Sequence, residues 1–252
     1  MKTLKNAALV LGISLLLAPV VRAEGFVDVY GGVSKFGSFD ATNSVKTSPS
    51  YATETNSDYP NSQALDSYVA GFRVGATKKW ERFNLSLAYD NSFYNVGATP
   101  IDANRGYVTA FNGQGSGTYW RDSLGGLVWQ PGVDLIAGVP LKYFRLYAGY
   151  GLIMPVMFYN YTAIDRNANT VTYNSTGASG SIGGHFIIGG RWFITKRLNL
   201  MVEDRIQSLY TPLVIKNSVR GANGVAYDSS FTFKDLPANQ FLVGVGFAWG
   251  GE

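Results

Sequence analysis

Cysteine is absent from the chain of 252 residues, and histidine occurs once, as His185. Without cysteine the chain can form no disulfide framework and no chemistry that needs a thiol. One histidine and no cysteine also exclude a structural zinc site with four Cys or His ligands. Any histidine-based catalysis would have to centre on His185, which the alternation pattern directs inward. We therefore expect no metal, no cofactor and no catalytic residue.

Charge is sparse, since only 15% of the residues are charged and the formal net charge is +4. Three basic residues, Lys2, Lys5 and Arg22, lie in the first 23 residues, which contain no acid, so the remaining chain carries 4 minus 3, or +1. A charge this small lacks the single-sign field that nucleic-acid binding requires. We expect no nucleic-acid partner.

The first 23 residues have the pattern of a secretory signal peptide. Two lysines precede a mostly apolar stretch from 7 to 21, and residues 21–23 (VRA) supply the small residues of a cleavage site. The apolar stretch is shorter than the ~20 residues that a membrane-spanning helix needs. We expect cleavage after Ala23, which leaves residues 24–252 as the mature domain.

Long apolar runs are absent after the signal peptide, whereas 30 glycines, 16 tyrosines and 15 phenylalanines are present in the chain. Without a membrane helix, a membrane location would require a closed β-barrel. Apolar residues recur at alternate positions in eight segments, each long enough for the ~9 to 11 residues that a tilted strand needs to cross a bilayer. These predicted strands are 25–36, 67–79, 83–97, 122–138, 143–158, 181–194, 198–211 and 238–250.

The connections between the predicted strands alternate between short and long. Short turns are typical of the periplasmic side of an outer-membrane barrel and long loops of its extracellular side. Two further β-prone stretches, 213–219 and 225–233, are interpreted as a hairpin that extends the last connection above the membrane, so ten strands remain an alternative to eight. The short turns lie at 80–82, 139–142 and 195–197, and the long loops at 37–66, 98–121, 159–180 and 212–237.

A soluble β-sandwich also alternates apolar with polar residues, but its outer face would be charged. Here the second face is small and sparsely charged, and aromatic residues flank the short turns, as outer-membrane barrels require. These aromatic residues are Trp80, Phe83, Tyr143, Phe144, Trp192 and Phe193. The sequence therefore predicts an all-β fold, a closed antiparallel transmembrane β-barrel of about eight strands with long extracellular loops and short periplasmic turns.

The first and last predicted strands carry a family resemblance. Residues 25–36 read GFVDVYGGVSKF directly after the signal, and residues 239–249 read NQFLVGVGFAW. On these strands and the pattern between them, the mature chain resembles the small outer-membrane β-barrel family that includes the membrane domain of OmpA. The resemblance implies a place in the cell outer membrane, contact with its lipid and lipopolysaccharide, and insertion by the barrel-assembly machinery. The family shares no catalytic residues, so no activity is implied.

Charged residues occupy inward positions of the predicted strands. Because charges inside a narrow barrel lie at low dielectric and must be paired, we interpret them as interior ion pairs that plug the barrel; an ion path or a catalytic cluster is the alternative. The candidates are Asp28, Arg73, Asp90, Asp134, Arg145, Arg191, Glu203 and Arg205.

The short turns allow the strand register to be predicted. A turn centred on 81–82 places Arg73 opposite Asp90. A turn centred on Lys196 makes Arg191 the diagonal neighbour of Glu203, and a diagonal separation of ~7 to 8 Å is within the reach of arginine. We therefore expect Arg73 to pair with Asp90 and Arg191 with Glu203.

The long loops are rich in aromatic and amide side chains, the mixture favoured on recognition surfaces. The recognition candidates are Tyr107, Phe111, Tyr119 and Trp120. Loops that only pack on one another are the alternative. The sequence thus predicts a non-enzymatic, plugged outer-membrane barrel whose loops have structural or adhesive roles and contact a surface ligand. A narrow porin-like diffusion channel and a lipid A-modifying enzyme are the alternatives.

Overall fold

The structure, a computed structural model, describes residues 23–35, 38–46, 54–57, 62–63, 67–101, 120–165, 170–220, 226–233 and 239–250. Nearly all of the predicted signal peptide (1–22) lies outside the described residues, as do Tyr107, Phe111 and Tyr119. No helix in the described ranges is long and apolar enough to cross a membrane.

The described residues form fifteen strands. They are β1 (Glu24–Lys35), β2 (Ser38–Lys46), β3 (Glu54–Ser57), β4 (Ser62–Gln63), β5 (Ser67–Lys79), β6 (Asn84–Ile101), β7 (Trp120–Pro140), β8 (Phe144–Ile153), β9 (Val156–Asp165), β10 (Thr170–Gly180), β11 (Gly183–Phe193), β12 (Leu198–Leu209), β13 (Leu213–Arg220), β14 (Ala226–Phe233) and β15 (Asn239–Trp249).

Eight of these strands close into an antiparallel barrel. Their order around the barrel is β1, β5, β6, β7, β8, β11, β12 and β15, and β15 pairs again with β1. Each barrel strand overlaps one of the eight predicted segments, and strands adjacent in the barrel follow one another in sequence apart from the upper hairpins. The predicted fold class, an all-β closed antiparallel barrel of eight strands, is confirmed.

The fifth predicted strand is wrong at its upper end, toward the long connections, because Pro155 interrupts it. The segment was predicted to run to residue 158, but β8 ends at Ile153, and Pro155 separates it from β9. Above this point β7 changes partner from β8 to β9, and the residue at the change is Pro131. Proline has no N–H to give to a ladder and is therefore found where the pairing of strands breaks.

The first, third and fourth long connections contain strands. The third holds the hairpin β9–β10, which continues the barrel wall by pairing with the upper part of β7. The fourth holds the hairpin β13–β14, and this confirms the hairpin predicted for 213–219 and 225–233. β14 also pairs with β2 from the first connection, and Ser179 Oγ of β10 donates a 2.7 Å hydrogen bond to the carbonyl oxygen of Val214 in β13. The wall thus extends beyond the barrel.

The outer face of the barrel is apolar and the inner face is charged. On β15 the exposed side chains are Phe241, Val243, Val245, Phe247 and Trp249, and the other barrel strands present similar residues. Next to the first short turn, the rings of Trp80 and Phe83 stack at 4.6 Å. A water-soluble protein has the reverse distribution, with charged residues almost never fully buried. Such an outer surface suits contact with lipid.

Candidate functional site in the barrel interior

Ionisable side chains from six strands meet in the centre of the barrel. Strand alternation alone turns them inward, because residues two apart lie on the same face. Seven of the eight predicted ion-pair residues are buried, and Arg145 is half-buried. The buried seven are Asp28, Arg73, Asp90, Asp134, Arg191, Glu203 and Arg205.

Arg73 is the hub of this cluster. It lies directly opposite Asp90 in the ladder between β5 and β6, which is the register predicted from the turn. Its Nε donates to Asp90 Oδ2 at 3.1 Å, and its two terminal nitrogens donate to the two Glu203 oxygens at 2.9 and 2.8 Å. The same Nε lies 3.0 Å from Asp134 Oδ2, an ion pair without hydrogen-bond geometry. One guanidinium therefore lies within ion-pair distance of three carboxylates.

Arg205 is the second cation of the cluster. Its terminal nitrogens bind the two oxygens of Asp90 at 3.0 and 2.8 Å, and its Nε donates to Glu203 Oε1 at 2.6 Å. Asp90 and Glu203 are thus shared by Arg73 and Arg205, and the four side chains form a closed ring of ion pairs. Ions at low dielectric require such pairing, because each pays a desolvation penalty of several kcal/mol.

Two tyrosines complete the cluster, and sequence reasoning missed both. Tyr30 donates to Asp90 Oδ1 at 2.7 Å, and Tyr147 donates to Glu203 Oε2 at 2.9 Å. Each tyrosine lies two residues after a charged residue that had been assigned to the interior, Asp28 and Arg145, so the alternation did contain the signal.

Arg191 pairs with Asp28, so the predicted pair of Arg191 with Glu203 is wrong. The register of β11 and β12 is the one predicted, with Arg191 opposite Met201. However, the guanidinium extends to Asp28 on β1, where it makes two hydrogen bonds of 2.9 and 2.5 Å. The prediction considered only neighbouring strands, whereas a long side chain in a narrow barrel also reaches strands farther around the wall.

Arg145 stands apart from the ion pairs. Among the described residues no carboxylate lies within ion-pair distance of it, which corrects the prediction that all four arginines meet acids. Its guanidinium lies 4.9 Å from the ring centre of Phe193. With the Asn84 amide turned so that its oxygen accepts, that oxygen is 3.0 Å from Arg145 Nε. Arg145 lies near the second short turn and is partly exposed, so its charge is less desolvated than the charges of the buried arginines.

His185 binds Asp134 at the edge of the cluster, with 2.8 Å between Nε2 and Oδ1. Its imidazole is buried inside the barrel. Both residues lie opposite Gly151 of the intervening strand β8. A β-carbon at Gly151 would overlap His185 Nε2 and Asp134 Oδ1, so this contact requires glycine at that position.

The interior changes character along the barrel axis. Above the ion pairs, successive inward residues become neutral and then apolar: Asp134, Gly132, Gln130 and Val128 follow one another on β7, and Asp90, Ser92 and Tyr94 on β6. The apolar layer joins the upper hairpins, where Val128 and Met157 belong to one buried cluster with Leu213, Ile215, Phe231 and Phe233. The interior therefore contains ion pairs below and an apolar cluster above.

Only one of the four loop recognition candidates lies in the described ranges. Trp120 is the first residue of β7, and the other three lie outside the described ranges.

Comparison with known proteins gives similarity of shape alone. No protein-family model and no curated protein matches the chain. Among solved structures, the chain is similar to Ail, the attachment invasion locus protein of Yersinia pestis, solved with the heparin analogue sucrose octasulfate (TM-score 0.39, 8% identity, 90% of this chain and 99% of that chain).

It is also similar to Neisserial surface protein A (TM-score 0.40, 12% identity, 89% of this chain and 97% of that chain) and to the outer membrane protein OprG from Pseudomonas aeruginosa (TM-score 0.44, 12% identity, 91% and 97%). The barrel fold of this chain follows from its own strand pairing.

Proposed function

We propose that this protein is a closed outer-membrane barrel with no enzymatic activity. The barrel anchors a β-structured extension, formed by the hairpins β9–β10 and β13–β14 with β2, at the cell surface. One observation carries the proposal: the barrel centre is filled by the ring of Arg73, Asp90, Glu203 and Arg205, each at most 1% exposed. An eight-stranded barrel is only wide enough to be filled by its own side chains. In this proposal, ion pairs held by two or more partners block a continuous water path.

The apolar core of the upper hairpins supports the same reading. Phe231 and Phe233 of β14 pack with Met157 of β9 above the ion pairs, so a solute would have to pass an apolar layer as well. Interiors of this kind pack as densely as organic crystals. The barrel is in this proposal a support, and the exposed surface of the extension and the loops that contain Tyr107, Phe111, Tyr119 and Trp120 make the contacts with a ligand.

Localisation and processing are part of the proposal. The signal peptide at 1–23 directs export and is cleaved before Glu24. The barrel-assembly machinery inserts the barrel, and its apolar outer face, here called the apolar belt, then contacts outer-membrane lipid and lipopolysaccharide. A lipid-modifying reaction is disfavoured because His185 is buried inside the barrel and bound to Asp134, away from the lipid-facing surface.

Conductance of the refolded mature chain in a planar bilayer tests the proposal. We expect no ion-channel steps from the wild-type protein. The double variant Arg73→Ala/Asp90→Ala, measured in matched bilayers, removes two members of the ring and leaves the apolar layer in place. Conductance of this variant would identify the ring as the seal, and a silent variant would assign the seal to the apolar layer. Regular open-channel steps from the wild type would favour the diffusion channel and overturn the proposal of a plugged barrel.

A further inference from the structure

Among the residues that the structure describes, one charged side chain faces outward in the middle of the apolar belt. On β12 the residues Leu200, Val202, Asp204, Ile206 and Ser208 alternate with inward ones, and Asp204 is exposed. It is the third of these five positions and lies six residues above Leu198. At ~3.3 Å per residue and a tilt of ~40°, it stands about 15 Å above the turn, well inside an apolar band ~25 Å tall.

The neighbours of Asp204 are apolar on every side. Ile188 of β11 and Phe241 of β15 lie directly opposite it in the two ladders. Val202 and Ile206 precede and follow it on the same face of β12, and all four neighbours are about half-exposed. Within the described part of the chain, no hydrogen bond or ion pair involves the Asp204 carboxylate. The group therefore faces the lipid side without a partner among the described residues.

A second polar residue on the outer face, Asn91, is shielded and hydrogen-bonded. Asn91 on β6 also faces outward, but Trp129 covers it and donates an Nε1–H to its Oδ1 at 2.6 Å, so that Asn91 is only 9% exposed. The barrel thus satisfies and shields a neutral amide while it leaves a carboxylate open. Ionisable residues at membrane depth are costly, and they usually mark a functional contact.

The described residues offer no matching cation at that depth. The exposed basic residues that the structure describes lie beside the short turns or toward the upper ends of the strands: Lys35, Lys79, Arg82, Lys142, Lys196, Arg197 and Lys216. A two-fold contact between two copies on this face would bring two Asp204 carboxylates together. Acyl chains supply no donor at all. Charge complementarity therefore calls for a different chain with a basic side chain.

We propose that the outer face of β11, β12 and β15 around Asp204 is a docking surface for another membrane-embedded protein that presents a lysine or arginine at this depth. The proposal rests on the outer-membrane location given under Proposed function. Ile188 and Phe241 supply the apolar contact, and the Asp204 carboxylate accepts the hydrogen bonds of the partner's cation. A charge-assisted pair of this kind is about twice as strong as a neutral hydrogen bond.

Photocrosslinking in the outer membrane of intact cells tests the docking surface. A photoreactive amino acid in place of Ile206, which is 51% exposed, probes this surface. The same amino acid in place of Leu87, which is 49% exposed and lies on β6 across the barrel, is the matched control. We expect a discrete adduct with another protein at Ile206 alone, reduced about tenfold by Asp204→Leu, as a lost interaction of ~1.4 kcal/mol implies. Asp204→Lys with the crosslinked basic residue changed to aspartate should restore it.

Several outcomes overturn the proposal: no adduct at Ile206, equal adducts at Leu87, an adduct of two copies of this chain, or an adduct that Asp204→Leu leaves unchanged. Purified protein in phosphatidylcholine vesicles gives an independent test, in which Asp204→Leu should raise the urea midpoint of unfolding because no partner is present. A lower midpoint would mean that the barrel itself satisfies Asp204. If the chain never reaches the outer membrane fraction, the proposed function fails instead.

Discussion

At the scale of single residues, the interior acts as a network and not as a set of separate pairs. Arg73 contacts Asp90, Asp134 and Glu203, whereas Asp90 keeps Arg205 and Tyr30 when Arg73 is removed. Removing one member of a buried pair leaves an uncompensated charge, which typically costs ~3 to 5 kcal/mol. The consequence of a substitution therefore depends on how many partners it leaves unpaired.

We predict that Arg73→Ala lowers the free energy of unfolding by at least ~3 kcal/mol and by more than Asp90→Ala does, because it leaves three acids without their shared cation. The double variant should cost clearly less than the sum of the two single variants, since the residues contact each other. Urea titration of the barrel in lipid vesicles measures all three values. Arg145→Ala is the control: it removes an arginine without a carboxylate partner and should cost about 1 kcal/mol.

Additive effects of Arg73→Ala and Asp90→Ala would contradict the network. A loss of stability in Arg145→Ala as large as that in Arg73→Ala would also contradict it, because the cost would then not depend on whether the arginine has carboxylate partners.

The residue-scale arrangement could be predicted only in part from the sequence. A period of two assigns each side chain to a face, and a short turn fixes which residues are opposite, so Arg73 and Asp90 could be paired in advance. Contacts across the lumen depend on the barrel's curvature and on side-chain length, which no local pattern contains. For this reason Asp28 as the partner of Arg191, and Glu203 as a partner of Arg73, required the structure.

At the scale of elements, the sequence predicted strands well where alternation is regular and poorly where the ladder changes partner. The fifth segment kept its alternation through Pro155, so the period alone did not reveal that β8 ends and β9 begins. Pro131 lies on the neighbouring strand at the same break, and Met154 N donates to its carbonyl oxygen at 2.9 Å. Two prolines at one level carry the signal, but their adjacency is visible only after the strands are paired.

The hairpin β9–β10 is an insertion in the barrel wall. Ile153 at the end of β8 and Gly183 at the start of β11 are directly paired, so the eight-stranded ladder is continuous without it. We predict that replacing residues 154–182 with Asn-Gly, a two-residue turn that suits an antiparallel hairpin, leaves a folded barrel of lower stability. Far-UV circular dichroism and the mobility difference between boiled and unboiled protein on gels measure folding.

Stability should fall because the apolar core loses Met157 and Tyr161, and a buried methionine truncated to alanine alone typically costs ~2 to 5 kcal/mol. A variant that removes residues 222–224, between β13 and β14, serves as the control of deletion itself. Failure of the 154–182 variant to form a barrel, while the control folds, would show that the upper hairpin is needed for closure.

At the scale of the whole molecule, the barrel is asymmetric along its axis. One end has short turns with exposed cations and aromatic rings, such as Lys142, whose Nζ lies 5.1 Å from the ring centre of Tyr143. The other end carries the paired hairpins and their apolar core. An asymmetric barrel has a defined orientation in the membrane, and the long connections of outer-membrane barrels face the cell exterior.

The orientation gives the last prediction, and the absence of cysteine makes it simple to test. We predict that Asn223→Cys, in the connection between β13 and β14, is labelled in intact cells by a maleimide joined to a polymer too large to cross the outer membrane. Lys196→Cys, in an exposed short turn, should be labelled only after the outer membrane is permeabilised. The unmodified chain, which has no thiol, gives the background. Labelling of Lys196→Cys in intact cells with protection of Asn223→Cys would invert the orientation, and equal labelling of both would place the protein outside the membrane altogether.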